Sequence, residues 1–103
     1  MQIIPSLVKD YKGQPHSSYG LAVVEYDIRG IFKDIKEKKN WMLISKSIDE
    51  IQKVFVEMKQ LFKKETEEYT LMQKKGFLCR EKIIQEKIHE LNQLRSKILA
   101  NQN

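Results

Sequence analysis

The pair of side chains that most resembles part of a metal site lies near the carboxyl end of the chain. Glu86 and His89 are three residues apart, so on a helix their carboxylate and imidazole would share one face. Di-iron helical bundles build their sites from two such pairs and two further glutamates. The chain contains this one pair, and its other histidine, His16, lies in a distant segment. The sequence therefore predicts no bound metal and no cofactor.

Cys79, the only cysteine of the chain, is the side chain that would make the most reactive nucleophile. A cysteine nucleophile needs a nearby base, yet His89 follows ten residues later, about 15 Å along a straight helix. The chain also has neither a glycine-rich phosphate-binding loop nor the residue spacing of a zinc site. We therefore expect a partly buried structural thiol at Cys79 and no enzyme activity.

Basic side chains are the third candidate for chemistry, because the chain carries a formal net charge of +5. Nucleic-acid-binding proteins usually gather their basic residues on one face, but here both signs are mixed along the whole chain. The sequence therefore predicts against nucleic acid as a partner, and a small helical nucleic-acid-binding regulator is the alternative function. That alternative depends on three isolated lysine pairs: Lys38-Lys39, Lys63-Lys64 and Lys74-Lys75.

The most extensive pattern in the sequence is a row of large apolar side chains. From Ile48 onward they recur at intervals of three and four residues, with one position of the row occupied by Glu65. That spacing is typical of a coiled-coil seam, in which one helix packs against another. Methionine and aromatic side chains also adapt to varied partners. We therefore predict a partner-binding face formed by Phe55, Met58, Phe62, Tyr69, Phe77, Ile84, Ile88, Leu91 and Ile98.

The segment that precedes these residues has a different character. Residues 1–20 contain both prolines and two of the four glycines of the chain, and proline interrupts helices by steric clash and by loss of a hydrogen-bond donor. We predict an irregular N-terminal arm over 1–20, part of which docks through its apolar residues, and a helical domain over 21–103.

A first helix is predicted over 21–39. Leu21, Val24 and Ile28 begin a row of apolar residues with helical spacing. The first six residues of this stretch also suit a strand, because valine and tyrosine favour one, but the longer period favours the helix. Asn40 would end this helix in a left-handed conformation.

A second helix is predicted over 47–75. Ser47 and Glu50 have the spacing of a capping box, in which each side chain accepts a hydrogen bond from the other residue's backbone N–H. The preceding stretch, 41–45, would then be a connector whose Trp41 and Leu43 close the end of a helical hairpin.

Gly76 marks the point at which the chain either turns or continues straight. A turn would place Gly76 in the left-handed conformation, fold Phe77 back onto Met72 and start a third helix over 77–100. A straight helix would keep the apolar residues on one side, and no capping residue follows Gly76. The turn is favoured, because one helix of about 50 residues exceeds the usual length in globular proteins.

These elements predict an all-α fold, a helical hairpin or three-helix bundle with coiled-coil character, preceded by the irregular arm. No signal peptide and no apolar run long enough to span a bilayer are visible, which predicts an intracellular protein, cytoplasmic or nuclear. The predicted function is a non-catalytic protein-interaction module: an assembly subunit, an adaptor or a small chaperone. Its partner would be a second copy or a different protein, so homo- and hetero-oligomers both remain open.

Overall fold

The structure, a computed structural model, describes residues 15–101 and the side chains of residues 15–100. This part of the chain contains three α-helices: α1 spans His16–Lys36, α2 spans Trp41–Lys64 and α3 spans Leu71–Asn101. A short 3-10 turn, Thr66–Glu68, lies between α2 and α3. The predicted all-α fold with three helices is therefore confirmed.

The three helices run up, down and up, so that α2 is antiparallel to both of its neighbours. Arg95, late in α3, donates a hydrogen bond to Asp49, early in α2. Arg80, earlier in α3, donates to Glu25 in the first half of α1. These two contacts place α3 antiparallel to α2 and parallel to α1.

A close contact between helices lies at Gly20 of α1. A Cβ atom built on Gly20 would overlap the side chain of Met58 in α2. Only a residue without a side chain leaves room for Met58 at this point. α1 and α2 consequently form the most tightly packed pair, and α3 lies against that pair.

The hydrophobic core follows the helical spacing of apolar residues in the sequence. Leu21, Val24 and Ile28 face inward from α1, as predicted, and are almost fully buried. Burial of such side chains is the main stabilising contribution to a small helical domain. The remaining buried apolar residues are Ile31, Ile44, Ile48, Ile51, Phe55, Met58, Tyr69, Phe77, Ile84, Ile88 and Leu91.

The first helix begins at His16 rather than at Leu21, so the last residues of the predicted arm are helical. Pro15 precedes the helix and provides no side-chain cap. Instead, the Glu65 carboxylate accepts hydrogen bonds from the backbone N–H groups of His16 and Ser17, at 3.2 and 2.9 Å. A residue distant in sequence thus caps this helix, which is why local signals missed its start. Residues 1–14 of the predicted arm lie outside the described residues.

The link between α1 and α2 also differs from the prediction. α1 ends at Lys36, and the residue with a left-handed backbone is Lys38, with a φ of 56°, not Asn40. Asn40 instead caps α2, because its side-chain oxygen accepts hydrogen bonds from the backbone N–H groups of Met42 and Leu43.

The second helix therefore begins at Trp41, and the capping box predicted at Ser47 is wrong. Ser47 lies inside α2, where the backbone N–H groups already have helical partners. The predicted connector is the first turn of the helix. Trp41 is partly buried beside the core, whereas Leu43 points into solvent, 64% exposed, and does not close the hairpin.

The third difference concerns the break before the last helix, which lies at residues 65–70 and not at Gly76. Thr70 and Gln73 form a capping box: the Gln73 side chain accepts from the Thr70 N–H at 2.9 Å, and the Thr70 hydroxyl accepts from the Gln73 N–H at 3.1 Å. α3 starts directly after Thr70 and continues through Gly76. The predicted contact between Phe77 and Met72 is therefore wrong as well.

Candidate functional site

Most residues of the predicted partner-binding face lie inside the chain's own core. Phe62 and Ile98 are partly buried, and the other seven are at most 6% exposed. A partner can contact those seven only if the helices separate, so their role in partner binding stays a prediction. The seven are Phe55, Met58, Tyr69, Phe77, Ile84, Ile88 and Leu91.

Three aromatic side chains of the predicted face are in contact at the link between α2 and α3. The rings of Phe62 and Phe77 are stacked, with centroids 3.9 Å apart and planes 3° from parallel. Tyr69 packs edge-on against both, with centroid distances of 4.9 and 5.8 Å. Aromatic pairs contribute about 0.5–1.5 kcal/mol beyond the area that they bury. This group fixes the turn between α2 and α3.

A cluster of buried polar side chains lies beside these rings. Besides the contacts of Glu65 with the start of α1, the hydroxyl groups of Ser17 and Tyr69 share a hydrogen bond. Burial raises the pKa of Tyr69 from 10.0 to about 12, and although the hydrogen bond to Ser17 opposes this shift, the Glu65 carboxylate adds to it. The Ser17 hydroxyl bonds with a phenol rather than with the His16 imidazole, so the geometry of a nucleophile and its base is not formed. The cluster fastens α1 to the turn.

The remaining candidates for chemistry lie on the surface of α3. Cys79 is exposed, which corrects the expectation of a partly buried thiol. Glu86 and His89 are exposed too. Within the described residues, no group of three or more His, Cys, Asp or Glu side chains could hold a metal ion.

The beginning of α3 carries an unusual exposed surface. Four large apolar side chains point into solvent here: Leu71 is 71% exposed, Met72 83%, Leu78 52% and Ile83 47%. We call the exposed residues of 71–83 the outer face of α3. Besides these four, the outer face consists of Gln73, Lys75, Gly76, Cys79 and Lys82.

The spacing of these residues divides the outer face into two apolar rows. At 100° per residue, Met72, Gly76, Cys79 and Ile83 fall within an arc of about 60°. Their intervals of four, three and four residues are those of a coiled-coil seam, and we call them the outer seam. Leu71 and Leu78 form a second row about 100° away.

The outer face is open and bears positive charge only. A Cβ on Gly76 would meet no atom within 4 Å, so another backbone can approach it. Every exposed charged side chain of the face is a lysine, while the nearest carboxylate in sequence, Glu81, is partly buried. This arrangement suits contact with another molecule that is partly apolar.

Sequence reasoning missed the outer face because it assigned Leu71 and Met72 to the second helix. The break at 65–70 places them at the start of α3 and rotates them away from the core. Two signals indicate that break in hindsight. Glu65 interrupts the apolar row, and Thr70 with Gln73 has the spacing of a capping box.

Comparison of the chain with protein-family models, with curated proteins and with solved structures found no match. None of the helices in residues 15–101 combines the length and the apolar character needed to cross a lipid bilayer.

Proposed function

We propose that this chain is a non-catalytic protein-interaction module whose contact surface is the outer face of α3. The observation that carries the proposal is the exposure of four large apolar side chains within thirteen residues of one helix. Large apolar side chains exposed close together are typical of sites that contact another molecule. An assembly subunit, an adaptor and a small chaperone would each use such a face.

The fold itself gives no reason for the apolar character of the outer face. The same part of α3 contributes Phe77 and Ile84 to the core from a different side of the helix. Polar residues at exposed helix positions usually change stability by less than about 0.5 kcal/mol. Leucine, methionine and isoleucine at these positions are therefore better explained by contact with a partner than by folding.

The proposal is tested by making the outer seam polar without adding charge. Met72→Gln combined with Ile83→Gln keeps good helix formers at both positions. The tagged variant and the tagged unaltered protein are each used to co-purify partners from the cell that makes the protein, with quantitative mass spectrometry. We expect proteins recovered with the unaltered chain to fall by about tenfold or more with the variant, which corresponds to a loss of about 1.4 kcal/mol.

The matched control is Glu90→Gln combined with Lys97→Gln, at two exposed positions later in α3. This control should recover the same proteins as the unaltered chain, and circular dichroism should show equal helix in all three. Equal recovery by the seam variant and the control, or no specific partner for any of them, would contradict the proposal.

A further inference from the structure

The residues that flank the outer seam are positively charged or neutral. On one flank, directly before the second and fourth seam residues, are Lys75 and Lys82, both exposed. On the other flank, directly after the first and third, are Gln73 and Arg80. The Arg80 guanidinium is already paired with the Glu25 carboxylate of α1. Within residues 15–100, neither lysine takes part in an ion pair. Two lysines, two helical turns apart, thus border the apolar seam.

In coiled-coil helix pairs, the residues that flank the apolar seam determine partner specificity. Side chains at these positions form salt bridges between the helices and set which helix binds and in which orientation. This inference rests on the proposed function. We propose that the partner docks through an amphipathic helix that has an apolar seam and carries carboxylate side chains at its flanking positions. Glutamates there would face Lys75 and Lys82.

A second copy of this chain is a poor occupant of the outer seam. A two-fold symmetric interface uses the same patch on both molecules. If the two copies of α3 pair antiparallel, Lys75 and Lys82 of one copy face the same lysines of the other, and like charges in close contact disfavour association. The flanking glutamates needed to offset them do not occur on the outer face.

Two other classes of partner fit the outer face less well. A helix that lies on a membrane buries one continuous apolar side, but here Lys75 and Lys82 lie between the two apolar rows. Nucleic acid binds basic residues through its phosphates. Phosphate binding does not explain why Leu71, Met72 and Ile83 are apolar and exposed.

The test uses synthetic peptides that differ only in their flanking charges. Three amphipathic peptides of about 21 residues share one apolar seam and carry glutamate, glutamine or lysine at the flanking positions, with capped ends. Binding to the full chain is measured by calorimetry at about 0.15 M salt. We expect the glutamate peptide to bind about tenfold or more tightly than the lysine peptide, with the glutamine peptide between them.

A charge exchange on the protein gives the decisive control. The variant with Lys75→Glu and Lys82→Glu should reverse the order, so that the lysine peptide binds most tightly. The variant with Met72→Gln and Ile83→Gln should lose all three peptides. Light scattering should show a monomer for the unaltered chain without peptide.

Each outcome separates this inference from the proposed function. Equal binding of the three peptides, lost in the Met72→Gln and Ile83→Gln variant, overturns the acidic partner and leaves the interaction surface intact. No binding of any peptide overturns both. A dimer that the seam variant abolishes, or seam-dependent binding to phosphatidylserine vesicles or to a single-stranded RNA oligonucleotide in place of the glutamate peptide, also overturns the acidic helix as partner.

Discussion

The two halves of α3 share one buried row but present opposite surfaces. Phe77 in the first half and Ile84, Ile88 and Leu91 beyond it are all buried in the core. The exposed residues of 71–83 are mostly apolar. The exposed side chains of 85–97 are all polar or charged, and Leu99, near the end of the helix, is the one large apolar side chain exposed beyond them in the described residues. Packing of the bundle therefore does not explain this difference. The apolar character of the outer face of α3 needs a separate explanation.

The two halves are also fastened to the bundle in different ways. In the first half, Phe77 stacks on Phe62 of α2. The buried cluster around Tyr69 lies directly before the helix. In the second half, Arg95 donates hydrogen bonds to Asp49 and to Ser45, and the contact with Asp49 is largely exposed. These contacts hold the first half of α3 in place, and a preformed surface would lower the entropic cost of binding the proposed partner.

The largest expected effect is a loss of stability when charge is placed in the buried row of α3 rather than on its outer face. Ile88→Asp combined with Leu91→Asp places two carboxylates in the core, where an unpaired charge costs several kcal/mol. Because small domains are stable by only about 5–15 kcal/mol, this variant should be unfolded. Circular dichroism and urea denaturation measure the loss.

The matched variant carries the same substitutions on the outer seam. Met72→Asp combined with Ile83→Asp should stay folded and lose only about 1–2 kcal/mol, because Met72 is 83% exposed and Ile83 is about half exposed. If instead this variant unfolds and the core variant does not, the assignment of the two sides of α3 is wrong.

A smaller effect concerns the anchor of the first half at high pH. Burial raises the pKa of Tyr69 to about 12, so the folded chain favours the neutral phenol. This stabilising contribution is complete below pH 10, the ordinary pKa of tyrosine, and is lost as the pH rises through 10 towards 12.

Urea denaturation across this pH range, for the unaltered chain and for Tyr69→Phe, measures the difference. Tyr69→Phe removes the ionisable group, so its unfolding free energy should fall less steeply between pH 10 and 12. Tyr19 is 41% exposed, and Tyr19→Phe serves as the control that keeps the steep fall. Parallel curves for all three proteins would refute the buried phenol as an anchor.

The smallest effect concerns the glycine of the outer seam. Gly76→Ala should raise the unfolding free energy by up to about 1 kcal/mol, since alanine favours helix and the added Cβ meets no atom within 4 Å. Gly20→Ala is the contrasting variant, because its Cβ would overlap the buried Met58 and lower stability by about 1–3 kcal/mol. Thermal denaturation should therefore move the two midpoints in opposite directions.

The same glycine variant sharpens the partner proposal. If a partner backbone approaches Gly76 closely, Gly76→Ala should weaken its binding while stabilising the free chain. A Gly30→Ala variant, also in open space but on α1, should stabilise the chain without affecting binding. Equal binding by both variants would show that no backbone approaches Gly76 closely.

The sequence by itself determined the helical class and the buried apolar positions of the first helix. Apolar residues at intervals of three and four specify a helix and its buried face together, because only that period keeps them on one side. The inward positions of α1, from Leu21 to Ile28, were predicted in this way and are confirmed. The all-α fold with three helices follows from the same pattern together with the scarcity of glycine and proline after Gly20.

Only the tertiary structure decided where the helices begin and end, and hence which residues face outward. Two sites have the spacing of a capping box, and local sequence does not rank Thr70 above Ser47. The choice depends on packing: the break at 65–70 lets Glu65 cap α1 and lets Phe77 stack on Phe62. The predicted second helix would have ended with Met72 near its last turn. Because the break lies at 65–70, Met72 is instead in the first turn of α3, where it is exposed on the outer face.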